Sequence, residues 1–121
     1  MARTAVPYTN LTANAATAAP AGTALDATND HVIAAAIPER TVLYVTNSDN
    51  SPHTVTIKAG TNPPAIAAGQ GDLTFVVGAE SAVYFGPFES GRFLRNDGTV
   101  HIDIESGHTG VITALLLPRG I

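Results

Sequence analysis

The sequence predicts an all-β domain: an antiparallel β-sandwich of jelly-roll or Ig-like type, or a small barrel, preceded by an extended N-terminal arm. Three observations carry this prediction. From about residue 31 onward, apolar and β-branched residues come in short runs separated by clusters of Gly, Pro, Asn, Asp and Ser. Several runs alternate strictly between apolar and polar positions, the period of a strand with one buried face. No stretch sustains the spacing of a long amphipathic helix.

Residues 1–30 form the arm and residues 31–121 the sandwich domain. The arm is rich in Ala and Thr, with Pro7, Pro20 and Gly22 and no run of large apolar residues. Interleaved Thr and Asn lower the helix propensity of Ala, and Pro20 interrupts any long helix. A helical turn over Ala15 to Ala19 and a short strand over Ala5 to Tyr8 are the only elements expected there. In the body, Val32 to Ala36 reads as a strand ending at Pro38. Thr41 to Thr46 is β-branched and aromatic, and stops at the turn cluster Asn47 to Pro52. His53 to Lys58 alternates, so these two runs are expected to pair as an antiparallel hairpin. Ala59 to Gly71 carries two Pro and three Gly and reads as a long loop.

Asp72 to Val77 and Ser81 to Phe85 are the next strands, joined by Gly78-Ala79-Glu80. Arg92 to Arg95 reads as a short strand before the tight turn Asn96-Asp97-Gly98. Thr99 to Glu105 alternates, with Val100, Ile102 and Ile104 inward. Val111 to Leu117 is the most apolar run and is expected to be central, with Pro118 stopping it.

Composition narrows the function classes. The chain has 121 residues, of which 45% are hydrophobic and 13% charged, which excludes a disordered acidic tail. A net charge of −4, with six Lys and Arg against ten Asp and Glu, argues against a nucleic-acid partner. There is no cysteine, so disulfides, thiolate catalysis and Cys-based zinc sites are ruled out. Neither a secretory leader nor a membrane span is expected. The most apolar stretch, Val111 to Pro118, falls well short of the roughly 20 residues a spanning helix needs. The Asn10-Leu11-Thr12 sequon is read as chance.

No catalytic, cofactor or metal residue is assigned. His101, Asp103 and Glu105 share one strand face, but neighbours on that face are nearly 7 Å apart, too far for three to close on one ion. That set reads as a solvated polar face. Ser81, Ser90 and Ser106 lie in turn contexts with no G-x-S-x-G elbow, and Gly69-Gln70-Gly71 lacks the helix and Lys of a phosphate loop. The group Gly86-Pro87-Phe88 through Phe93 reads as a sheet corner, its two Phe plugging the core. Tyr8, Tyr44 and Tyr84 are core residues or contact anchors. The candidate capsid or subunit contact residues are Val6, Tyr8, Leu11, Leu25, Arg92 and Arg95. The first four are apolar enough to dock the arm on another surface, another chain included. Arg92 and Arg95, three apart on a strand, are expected on opposite faces, pairing with Glu89 or Asp97 or reaching an acidic neighbouring subunit.

The Ala/Thr-rich arm, Val42-Leu43-Tyr44-Val45-Thr46-Asn47, His53-Thr54-Val55-Thr56-Ile57, Gly86-Pro87-Phe88 with Arg92-Phe93, Asp97-Gly98-Thr99-Val100 and Ala114-Leu115-Leu116-Leu117-Pro118 together resemble head decoration (capsid cement) proteins of tailed bacteriophages. That resemblance implies a non-enzymatic β-sandwich bound to the outer face of a capsid. The implied partner is the major capsid protein, and the assembly a homotrimer at three-fold positions. It also implies that the chain is made in the host cytoplasm and carried on the virion exterior. A carbohydrate- or receptor-binding module of a phage tail, and a head-completion or tail-tube component, are the alternatives.

Overall fold

Alternating burial sets the architecture. Val55 and Ile57 from one run and Leu43 and Val45 from another are all nearly inaccessible, so each strand turns every second side chain into a shared interior. The computed structural model describes residues 2–61 and 71–118. The strands are β1 (Thr4–Ala5), β2 (Tyr8–Asn10), β3 (Thr23–Ala24), β4 (His31–Ile33), β5 (Thr41–Asn47), β6 (His53–Ile57), β7 (Leu73–Val77), β8 (Ser81–Phe85), β9 (Val100–Ile104) and β10 (Val111–Leu116). A one-turn helix, α1 (Ser90–Phe93), and a 3-10 turn over Pro38–Arg40 complete the regular structure.

Two five-stranded sheets result, with no closed barrel among the described residues. The first runs β1-β4-β9-β6-β7 and the second β2-β10-β5-β8, with β3 pairing farther along β10. As the apolar run suggested, β10 is interior to its sheet, flanked by β5 and by β2 and β3. The core between the sheets combines Ile33, Val55, Ile57 and Ile102 with Leu43, Val45, Ile112 and Ala114.

Several local expectations are corrected. β5 and β6 do not form a hairpin: β5 pairs with β8 and β10, whereas β6 pairs with β7 and β9 in the other sheet. The buried Asn47 amide donates to Ser51, Val77 and Gly78 carbonyls, so the turn cluster carries the chain across the sandwich instead of folding it back. The sheets are mixed, because β1 runs parallel to β4 and β2 parallel to β10. Arg92 lies in α1, not in a strand, because Phe93 N–H and Leu94 N–H close on the Glu89 and Ser90 carbonyls. Residues 15–19 form no helical turn, consistent with Thr and Pro among the Ala residues. The strand expected over Ala5 to Tyr8 is split into β1 and β2 around Val6 and Pro7. The central part of the expected 59–71 loop, Gly69 and Gln70 included, lies outside the described residues.

The N-terminal segment is the largest departure. It pairs with both sheets, and between those pairings Val6 enters the core, only 3% exposed. Leu25 and Tyr8 pack on the same core, so the arm docks on its own body. A polar knot fixes it. Asp26 accepts hydrogen bonds from the Thr4 hydroxyl and from Thr28 and Asn29, which hold its carboxyl down to about 2. His31, fully buried, donates Nδ1–H to the Thr4 carbonyl and accepts the Asp26 N–H at Nε2. Both nitrogens are thus used by the neutral ring, and burial lowers its pKa. Arg3 closes the other side on Asp103 at 2.7 Å.

The sheet corner at Gly86 behaves as read. Phe88 and Phe93 are buried and meet edge to face at 5.7 Å. Gly86 has φ +114, and a Cβ there would lie 2.5 Å from the Thr41 carbonyl oxygen.

The fold predicts that Val6→Ala costs about 2 kcal/mol, the usual range for deleting buried methyls. Urea unfolding should show this as a lower midpoint with unchanged slope. Deleting residues 2–10 should destabilise the body far more than Val6→Ala. A truncated chain with the full-length midpoint would contradict the interlock.

Candidate functional site

Charge is distributed unevenly over the two sheets. No residue of β2, β3, β5, β8 or β10 is charged, and residues 4–25 contain no charged side chain at all. The outer face of the second sheet is built from these strands. Tyr84, Tyr44 and Thr113 form one row across β8, β5 and β10, and Val42, Leu115 and Thr9 form the next. Tyr84 is 68% exposed and leans on Tyr44 with ring centres 4.8 Å apart. Residues 17–20 pass over this face and enclose with it a groove of about 310 Å³, lined by Thr9, Leu11, Tyr44, Tyr84, Thr113 and Leu115. Gly22, at φ +85, lets the chain approach β10 closely, since a Cβ there would stand 2.9 Å from Thr113 Oγ1.

The first sheet presents the opposite character. Its outer face carries His101 and Asp103 on β9 and Thr54 and Thr56 on β6, flanked by Arg3, Lys58 and Asp72. Lys58 bonds Asp72 at 2.9 Å and approaches Asp103 to 3.8 Å, continuing the chain of ion pairs begun by Arg3. Val76, 66% exposed, is an exposed large apolar residue on that side.

The six candidate contact residues are dispersed. Val6 is core, and Tyr8 and Leu25 pack on it. The Tyr8 hydroxyl is engaged by Thr41 and by the Ile37 N–H. Only Leu11 reaches the groove. Arg92 donates to the Gly71 and Asp72 carbonyls and lies 5.0 Å over the Phe93 ring. Arg95 borders a shallow concavity with Thr61, Asn96 and Asp97. Asp97 is held below the usual carboxylate range first by the Thr99 hydroxyl, with Arg95 adding a weaker pull. Thr17, Thr113 and Leu115 were not singled out from sequence. The uncharged run between Arg3 and Asp26 was the available signal.

A second cluster sits at the loops joining the sheets. His53 places Nδ1 2.7 Å from Glu105 and Nε2 2.6 Å from Asp49. Both nitrogens face carboxylates, so both carry protons and the ring is an imidazolium. Asp49 and then Glu105 raise its pKa. His108 stacks on it at 5.4 Å and donates Nε2–H to the Thr46 carbonyl. Burial lowers the His108 pKa, and its buried Nδ1 has no partner among the described residues. Glu105 thus bonds His53 instead of joining His101 and Asp103. Among the described residues no group of three or more His, Asp or Glu could hold a metal ion. Nor is any helix among them long and apolar enough to cross a membrane.

No protein-family model, curated protein or solved structure matches the chain. The reading of its surface therefore rests on its own geometry.

The His53 clamp predicts a pH signature. A folded pKa above the ordinary 6.5 stabilises fully below that value and loses its contribution as pH rises through the folded value. The thermal-stability gap between the wild type and His53→Gln should be largest near about pH 6 and shrink toward about pH 9. A gap constant across that range would contradict the clamp.

Proposed function

We propose that this chain is a structural protein of a bacteriophage particle that binds the outer surface of the capsid shell and reinforces it. The observation that carries the reading is the charge asymmetry: one sheet face is uncharged and aromatic, the other laced with ion pairs. A face that lies permanently against another protein must shed its water, and charged side chains make that costly. The uncharged face of the second sheet has little such penalty, while Tyr84 and Tyr44 supply the aromatic anchor favoured at contacts. The face carrying Arg3, Asp103, Lys58 and Asp72 suits solvent.

Attachment to a shell fits this geometry. A shell offers many identical sites, so a contact of modest area on each copy suffices when copies reinforce one another. The interlocked N-terminal segment suits the same role, because it keeps the contact face rigid before binding and limits the ordering cost.

The test is co-sedimentation with undecorated shells of the virus that encodes the chain. Tyr84→Arg should weaken binding at least about tenfold, the scale of losing a central aromatic anchor. Val76→Arg, a comparably exposed site on the opposite sheet, should bind as the wild type does. Equal loss in both variants, or in neither, would contradict the assignment of the face.

A further inference from the structure

The groove on the uncharged face has features that a flat contact does not require. Residues 16–22, of which 17–20 border the groove, lie outside any helix, strand or turn, are exposed, and make no backbone hydrogen bond to any described residue. An uncharged stretch with open N–H and C=O groups offers them for pairing with another strand. The hydroxyls of Thr9, Thr113, Tyr44 and Tyr84 on the sheet and of Thr17 in the segment border the groove, and none has a hydrogen-bond partner among the described residues. Thr113 is only 6% exposed overall, and its free hydroxyl belongs to a residue that lines the groove. The Tyr8 hydroxyl, by contrast, is engaged twice by the protein itself.

We propose that this groove receives an extended, uncharged polypeptide segment of the shell protein, which pairs its backbone with residues 16–22 and lays small apolar side chains on Tyr44 and Tyr84. The inference rests on the reading of this face as the shell contact and names what the face grips. Three features select such a ligand. The open backbone above asks for a strand, the main-chain mode of peptide recognition. The free hydroxyls can meet carbonyls and amides on the ligand's other side. The absence of any charged lining residue among the described residues disfavours a segment bearing Asp, Glu, Lys or Arg, which would lose hydration without a counter-charge. A volume of about 310 Å³ suits a few small side chains and leaves no room for a folded domain.

The experiment is an amide-resolved NMR titration of the full chain with a capped heptapeptide of Thr, Val, Ala and Pro. The expected result is saturable shifts at residues 16–22, Tyr84 and Thr113, weakened at least about fivefold by Tyr84→Arg. The same peptide with two Asp residues should not bind. No saturable shift up to about 5 mM would overturn the proposal. So would equal binding of the Asp peptide, shifts produced by maltose in its place, or self-association of the protein through this groove. On shells, Thr17→Pro/Ala19→Pro removes two of the open N–H groups and should weaken binding at least about fivefold. If that variant binds normally while Tyr84→Arg does not, the groove proposal fails and the face assignment stands. If both bind normally, both fail. Hydrogen exchange gives an answer independent of the proline variant: amides 16–22 should become protected on shells, and unchanged exchange there would overturn the proposal.

Discussion

The passage of the N-terminal segment from one sheet to the other is the constraint on which much of this structure depends. β1 closes the edge of the first sheet by pairing with β4, and β2 covers β10 in the second, with Val6 buried between the two pairings. The crossing is held by the Thr4, Asp26 and His31 knot, in which a neutral, buried imidazole satisfies one backbone donor and one backbone acceptor. A charged imidazole could not accept the Asp26 N–H, so the same burial that lowers the His31 pKa also preserves the knot. Because the segment is fixed at both ends, the loop between β2 and β3 is drawn over the outer face of the second sheet, and there it forms the groove.

The charge pattern follows from the same path. Residues 4–25 are uncharged, and from β2 onward they border or cover a sheet whose strands are also uncharged. Had a similar arm carried Lys and Glu, its placement would have masked the face with solvated charge. Instead the polar groups concentrate on the first sheet and on the connecting loops. There His53, clamped between Asp49 and Glu105, ties the turn after β5 to the one after β9. The two sides of one small sandwich thus offer different chemistry to their surroundings.

The all-β class, most of the strands and the interior position of β10 were legible in the sequence, because alternation such as Val55/Ile57 and Val100/Ile102/Ile104 reports directly which side chains are buried. The pairing of β5 with β8 and not with β6 was not legible. Strict alternation in two successive runs fits a hairpin and an arch between sheets equally well, and the choice was made by the long-range bonds of Asn47 to Val77 and Gly78. The fate of the arm was hidden for a related reason. Val6 and Tyr8 are isolated apolar residues among Ala and Thr, and only the surrounding fold shows that their partners belong to the same chain. Of the candidate contact residues, Leu11 alone lies at the groove. Tyr44 and Tyr84 were visible as core or anchor residues, but their shared row required the β5–β8 register.

Electron cryo-microscopy of shells decorated with the wild-type chain tests the central claim most directly, because it reads the orientation of the sandwich without perturbing it. The account predicts that the second sheet faces the shell, with Tyr44, Tyr84 and residues 16–22 in contact, and that Arg3, Lys58 and Asp103 face solvent. Density with the first sheet against the shell, or no density for the chain on the particle, would contradict it.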